Sequence, residues 1–192
     1  MRARALTTTI CSVLALALLA APADAATKRQ AAAAAALGAG GAAYGVDPDQ
    51  TPVMPTGRII DGKAYPPADA PTKVKKAIWA ANEIVGKPYR YGGGHALVED
   101  TGYDCSGTVS YGLIHAKLLD SPLDSGSFMS WGEAGEGDWI TIYTNPGHAY
   151  VVIAGMRLDT SAAGDPSGAK GPRWRPTLRE TAGFKARHPE GF

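Results

Sequence analysis

Asp104-Cys105-Ser106-Gly107 holds the residue best suited to covalent chemistry. A glycine-rich loop precedes it, and the apolar residues after it recur at helical spacing. A thiol at a helix start meets unpaired backbone N–H groups and the positive end of the helix dipole. Both stabilise a thiolate and lower the cysteine pKa. A thiolate nucleophile is activated by a neighbouring base. Gly147-His148-Ala149-Tyr150-Val151-Val152 supplies a histidine at the start of an expected strand. Cys105 on a helix and His148 on a strand are thus the candidate pair for cleaving an acyl bond through a thioester, and no metal or cofactor is required.

Whether Cys105 is the only thiol depends on where the mature chain begins. Arg2 and Arg4 precede an apolar run from Ile10 to Ala20, and Ala23-Asp24-Ala25 has the small-x-small form of a cleavage site. Residues 1–25 are therefore expected to be a secretory signal peptide. The apolar run is short for a membrane span, although a retained anchor is the alternative. Cys11 would leave with the signal. Exported domains usually use cysteines in disulfide pairs, so a single remaining thiol points to reactivity. The protein is expected to be secreted or held in the cell envelope, with no membrane span after cleavage.

Charge excludes some partners. Of 19 basic and 18 acidic residues, the signal would remove Arg2, Arg4 and Asp24, leaving the two signs equal. A near-neutral chain gives no electrostatic case for nucleic acid or for an anionic membrane. Residues 26–69 read as a low-complexity tether: an alanine run from Ala31 to Ala36, then glycines, then Pro48, Pro52, Pro55, Pro66 and Pro67. Residues 70–192 are one domain in length.

The elements that must position the pair follow from periodicity. Val74, Ala77, Ile78, Ala81, Ile84 and Val85 make a helical stripe after Pro71, ended by Gly86-Lys87-Pro88. A second helix is expected from Cys105 to about Leu119, capped by Asp104, with Val109, Leu113, Ala116 and Leu118 or Leu119 on its buried face. Strands are expected at Asp138–Tyr143, His148–Ile153 and Met156–Thr160, with a last one at Gly183–Arg187. Helices followed by antiparallel strands indicate an α+β fold.

These segments resemble the NlpC family of bacterial cell-wall cysteine peptidases. Gly86-Lys87-Pro88-Tyr89-Arg90-Tyr91-Gly92-Gly93 is similar to its pre-nucleophile segment, and Asp104-Cys105-Ser106-Gly107 to its nucleophile motif. Gly137-Asp138-Trp139 resembles its strand opening, and Gly147-His148 its base. The order and spacing agree across roughly Lys73 to Thr160. The resemblance implies a papain-like fold and cleavage of peptidoglycan stem peptides, most often between D-glutamate and diaminopimelate. It implies that Cys105 is nucleophile and His148 base, and that Tyr89 lies near the oxyanion and the substrate's amino end. Asp104 and Ser106 would recognise the free amino terminus of the stem peptide. The partner is then peptidoglycan, and the domain is expected to act as a monomer.

The family's third residue, usually a histidine one strand later, has no counterpart in Met156-Arg157-Leu158-Asp159-Thr160-Ser161. A two-residue turn at Ala154-Gly155 would set Asp159 diagonal to His148 on one face of a hairpin, within reach of the imidazole. Asp159 is the expected orienting residue and Ser161 the alternative. Plainer roles exist for each residue. Cys105 and Tyr89 could pack, His148 could be a satisfied strand histidine, and Asp104 and Ser106 could serve only the helix start. His95, His115 and His188 lack short-range metal-ligand spacing, so no metal site is expected. Other functions compatible with the sequence are an amidase on the same scaffold, a non-catalytic cell-wall binding module, and a structural envelope protein.

Overall fold

The computed structural model describes residues 56–192. The expected signal peptide, Cys11 and the tether up to residue 55 lie outside them. The first helix, α1 (Thr72–Ile84), forms where the apolar stripe predicts it. Val74, Ala77, Ile78, Ala81 and Ile84 are buried. Pro71 precedes it and Gly86, with φ +91°, turns the chain away after it.

The second helix, α2 (Cys105–His115), is not amphipathic. Every residue from Cys105 to Leu113 is buried, the small polar Ser106, Thr108 and Ser110 included. It runs through the middle of the domain, with α1 on one side and the sheet on another. Small side chains permit that. A Cβ on Gly107 would stand 2.1 Å from the carbonyl oxygen of Gly93, so only glycine lets the preceding loop lie on the first turn. The helix ends four residues before Leu119. Lys117 takes a left-handed φ of +57°, and Leu118 N–H donates to Leu113 O (2.9 Å) while Lys117 N–H donates to Ile114 O (2.9 Å). This is a Schellman ending with lysine where glycine is usual, so no residue type marks it in the sequence.

Beyond the one-turn helix α3 (Ser125–Phe128) the chain builds a sheet. Its strands in sequence order are β3 (Glu133–Ala134), β4 (Ile140–Asn145), β5 (His148–Ile153), β6 (Met156–Asp159), β7 (Arg173–Arg175) and β8 (Lys185–His188). Their spatial order is β3-β8-β4-β5-β6-β7, antiparallel throughout. The domain is α+β. Ile140, Ile142, Ala149, Val151, Ile153 and Leu158 join Val109 and Leu113 of α2 and Val74 and Ile78 of α1 in one core. β4 begins two residues later than Asp138, because the backbone N–H groups of Trp139 and Ile140 turn to the carbonyl of Phe192. The two-residue turn between β5 and β6 is present: Ala154 (φ +47°) and Gly155 (φ +74°) are both left-handed, and Ile153 pairs with Met156.

The tether boundary at residue 69 requires correction. The first two strands of the chain, β1 (Arg58–Ile60) and β2 (Lys63–Tyr65), form an antiparallel hairpin. Buried Ala64 exchanges both backbone hydrogen bonds with Asn82 of α1 (2.9 and 2.8 Å), and Asn82 Oδ1 also accepts from Trp174 Nε1 (2.8 Å). The Trp174 ring is thus buried against α1 with its indole N–H satisfied. Strands of three residues are too short for an alternation signal, and the turn signal that marks this hairpin is Asp61-Gly62, both at positive φ.

Candidate active site

Cys105 is the first residue of α2. Its N-cap, Asp104, has extended backbone and accepts from Gly107 N–H through Oδ1 (2.7 Å). His148 is the first residue of β5. Asn145 at the end of β4 fixes that start, its Oδ1 accepting from Gly147 N–H (3.0 Å) and His148 N–H (2.9 Å). Because α2 packs on β5, thiol and imidazole meet in a hydrogen bond. Burial raises the Cys105 pKa, but the bond to His148, the Ala149 N–H and the nearby imidazolium outweigh it, and the thiol lies below its ordinary value. Burial likewise disfavours charge on His148, but Asp159 and Cys105 push its pKa up to about 9. The two shifts together favour a thiolate–imidazolium pair.

Asp159 is the group on the far side of the ring. Its side chain is 0% exposed, and Oδ1 lies 2.9 Å from His148 Nε2. A carboxylate only accepts, so His148 Nε2 carries a proton and Nδ1 is left for the thiol. Burial opposes charge on Asp159, yet His148, the Ser161 N–H (2.8 Å) and Arg179 hold its pKa below the ordinary carboxylate value. Ser161 serves through its backbone; its hydroxyl accepts from Ala163 N–H (3.3 Å). Of the two orienting candidates, Asp159 is the one in contact with the imidazole.

Two cavities flank the pair. One, of about 410 Å³, is lined by Cys105, Asp104, Ser106, His95 and Tyr89 among others; the other, of about 320 Å³, by His148, Tyr89, Ser161 and Lys170 among others. Tyr89 stands between them, half exposed and held by a backbone bridge to Tyr103. Partial burial, then the charges of Cys105 and Asp104, raise its pKa, so the phenol remains a donor. A larger cavity, of about 480 Å³ over Met156 and Trp174, has no thiol, imidazole or carboxylate on its wall. Among the described residues no cluster of His, Cys, Asp or Glu could hold a metal ion, and no helix is long and apolar enough to cross a membrane.

Three contributors carry little sequence signal. Arg179 donates to Asp159 Oδ2 (3.1 Å), and its guanidinium lies 5.2 Å from the ring centres of both Tyr150 and Phe184. Twenty residues separate it from Asp159, so nothing local marks it. Asn145 is marked only by the Asn-Pro-Gly turn. His95 donates from Nε2 to Asp104 Oδ1 (3.0 Å), with the Ser106 hydroxyl 3.3 Å away.

No protein-family model matches the chain, and no curated protein matches it. Among solved structures, it is similar to a hypothetical invasion protein of Mycobacterium tuberculosis. The two are 21% identical over 61% of this chain and 62% of that one, with a TM-score of 0.43. The match thus spans under two thirds of that protein, and a likeness of this extent carries no inference about chemistry.

Proposed function

We propose that this protein is an exported cysteine endopeptidase of papain-like, NlpC type that cleaves peptidoglycan stem peptides between D-glutamate and diaminopimelate. The observation that supports this most is the unbroken chain Cys105–His148–Asp159, with the thiol lowered and the imidazole raised to about 9. The sequence motifs around Tyr89 and Cys105 supply the substrate class.

In this reading the Cys105 thiolate attacks the scissile carbonyl carbon. Negative charge moves to the carbonyl oxygen, where the Cys105 N–H, which has no acceptor within its helix, and the Tyr89 hydroxyl stabilise it. The tetrahedral intermediate collapses as the C–N bond breaks, and the His148 imidazolium gives its proton to the leaving amine. A thioester remains. Neutral His148 then takes a proton from water, the hydroxide adds to the thioester carbon, and the released sulfur returns to the thiolate–imidazolium pair. Asp159 keeps the ring in one tautomer and stabilises its charged form.

The test is incubation of the mature protein with purified peptidoglycan and mass spectrometry of the soluble products. New diaminopimelate amino termini are expected. New lactyl carboxylates would make the enzyme an amidase, and an absence of fragments would favour a binding module.

A further inference from the structure

We propose that Lys170 reads the leaving side of the substrate: its ammonium pairs with the side-chain carboxylate of meso-diaminopimelate and selects that residue over lysine in the same place. This rests on the reading of the site as a stem-peptide endopeptidase and adds the residue that chooses the amino acid after the scissile bond.

The chemistry assigns the two cavities beside the pair to the two halves of the substrate. The acyl half becomes bonded to sulfur, and the leaving amine takes its proton from His148. The cavity of about 410 Å³ has Cys105 on its wall and not His148, whereas the cavity of about 320 Å³ has His148 and not Cys105. The leaving residue therefore enters the second. The two differ in charge. Asp104 and Asp124 line the first. Among the described residues no carboxylate lines the second, and its charged groups are the His148 imidazolium and the Lys170 ammonium. His148 Nε2 is bound to Asp159 and Nδ1 is left for the thiol, so Lys170 is the cation that remains for a ligand.

The backbone on both sides of Lys170 is held in place. Arg175, whose side chain is wholly buried, donates from Nη1 to Ala169 O (2.9 Å) and from Nη2 to Gly171 O (3.4 Å). Gly171 N–H donates to Thr160 O (3.1 Å), which ties this point to the chain just after β6. Gly171 also lies against the segment before Tyr89: a Cβ there would stand 2.4 Å from Lys87 O, and its φ is +95°. A buried guanidinium and a glycine contact thus anchor Lys170 at the cavity wall. Its own side chain is exposed and meets no acceptor among the described residues.

The side chain of meso-diaminopimelate ends in one carbon that carries an ammonium and a carboxylate, with no net charge. Lysine ends in an ammonium alone. Diaminopimelate with that carboxylate amidated ends in the same single positive charge. Beside a fixed ammonium the first gains an ion pair, and the other two meet like charge. Because Lys170 is exposed, the effect is that of a surface pair, about threefold to fivefold in rate, and salt screens it.

The test uses three peptides of the form L-Ala-γ-D-Glu-X-D-Ala. X is meso-diaminopimelate, the same residue with its side-chain carboxylate amidated, or L-lysine. The D-alanine keeps the other carboxyl group of X in an amide bond in all three. At low salt the mature wild type should show a kcat/KM about threefold to fivefold higher on the free carboxylate than on the amide, with lysine at least as poor. The preference should shrink in about 1 M salt. Lys170→Ala should bring the carboxylate-to-amide ratio to about one, Lys170→Arg should keep it, and Lys170→Glu should invert it. Equal rates on these two peptides in the wild type overturn the proposal and leave the endopeptidase reading intact. So does a ratio that survives both Lys170→Ala and Lys170→Glu in folded protein. Cleavage of none of the three at the bond to X overturns that reading and the proposal with it.

Discussion

His148 and His95 each hold an aspartate through Nε2, at 2.9 and 3.0 Å, and both histidines stand in cavities beside Cys105. The second pair even has a serine hydroxyl at 3.3 Å. Yet the arrangements differ in the atom that matters. At His148 the carboxylate takes Nε2 and leaves Nδ1 for the thiol, so the ring can pass a proton on one side while its charge is balanced on the other. At His95 the carboxylate and the hydroxyl share one nitrogen, and the serine gives its proton directly to Asp104. No relay can run through that ring. A histidine–aspartate distance alone does not distinguish chemistry from scaffolding; the identity of the atoms on the two ring nitrogens does.

The comparison breaks most sharply at the sulfur. Cys105→Ala should reduce peptidoglycan hydrolysis by about 10⁴-fold or more, the scale lost when a covalent nucleophile is removed, while circular dichroism stays native. Residual activity within tenfold of wild type would show that the wrong histidine pair had been assigned the chemistry.

Asp159→Asn should lower kcat by about 10²- to 10⁴-fold, because a neutral amide neither stabilises the imidazolium nor enforces its tautomer. The pH profile gives the sign. The productive pair needs a deprotonated Cys105 and a protonated His148, so hydrolysis should be high between the lowered thiol pKa and about 9 and fall above that, as the imidazolium loses its proton. Alkylation by iodoacetamide needs only the thiolate and should not fall above 9. Asp159 raises the His148 pKa, so in Asp159→Asn the alkaline limb of hydrolysis should move to lower pH. A limb that stays in place would mean Asp159 does not act on the ring.

Arg179→Ala should cost about tenfold in kcat, with KM nearly unmoved, since Arg179 fixes the second oxygen of Asp159 and lines neither cavity beside Cys105. Arg179→Lys, which keeps the charge but not the guanidinium's contacts with the Tyr150 and Phe184 rings, should recover part of the loss. A change confined to KM would place Arg179 in substrate contact instead.

The smallest effect on rate belongs to the other aspartate. Asp104→Ala removes the cap of α2 and the clamp on the glycine loop, so it should lower stability by about 1–2 kcal/mol, seen as a fall of several degrees in Tm. Its loss of kcat should be smaller than that of Asp159→Asn. The reverse order would make the two pairs exchange roles.

Local spacing in the chain already determined a good deal. The stripe from Val74 to Ile84 wrote α1, Asp104 marked the start of α2, and the strand at His148–Ile153 was legible from its run of apolar residues. Ala154-Gly155 set a two-residue turn, and from that turn alone Asp159 came to the face shared by Tyr150 and His148. Register in a tight hairpin is a local property, which is why, in the stretch to which the family resemblance pointed, Asp159 could be preferred to Ser161 without a structure.

Tertiary structure decided the rest, because it depends on groups that meet only after the chain has folded. Which residues surround α2 on every side, why Gly107 is needed, and that Lys117 ends it follow from close approach to Gly93 and from the packing of Leu113 and Leu118, not from helical periodicity. The hairpin at Arg58–Tyr65 exists because Asn82 and Trp174, far along the chain, satisfy its backbone and one another. Arg179 reaches Asp159 across twenty residues, and His95 reaches Asp104 from the glycine-rich loop before α2. The residue types at positions 104, 105, 148 and 159 determined which chemistry was available. Whether each carboxylate was free, filled or charged was set by long-range donors, whose positions no local pattern records.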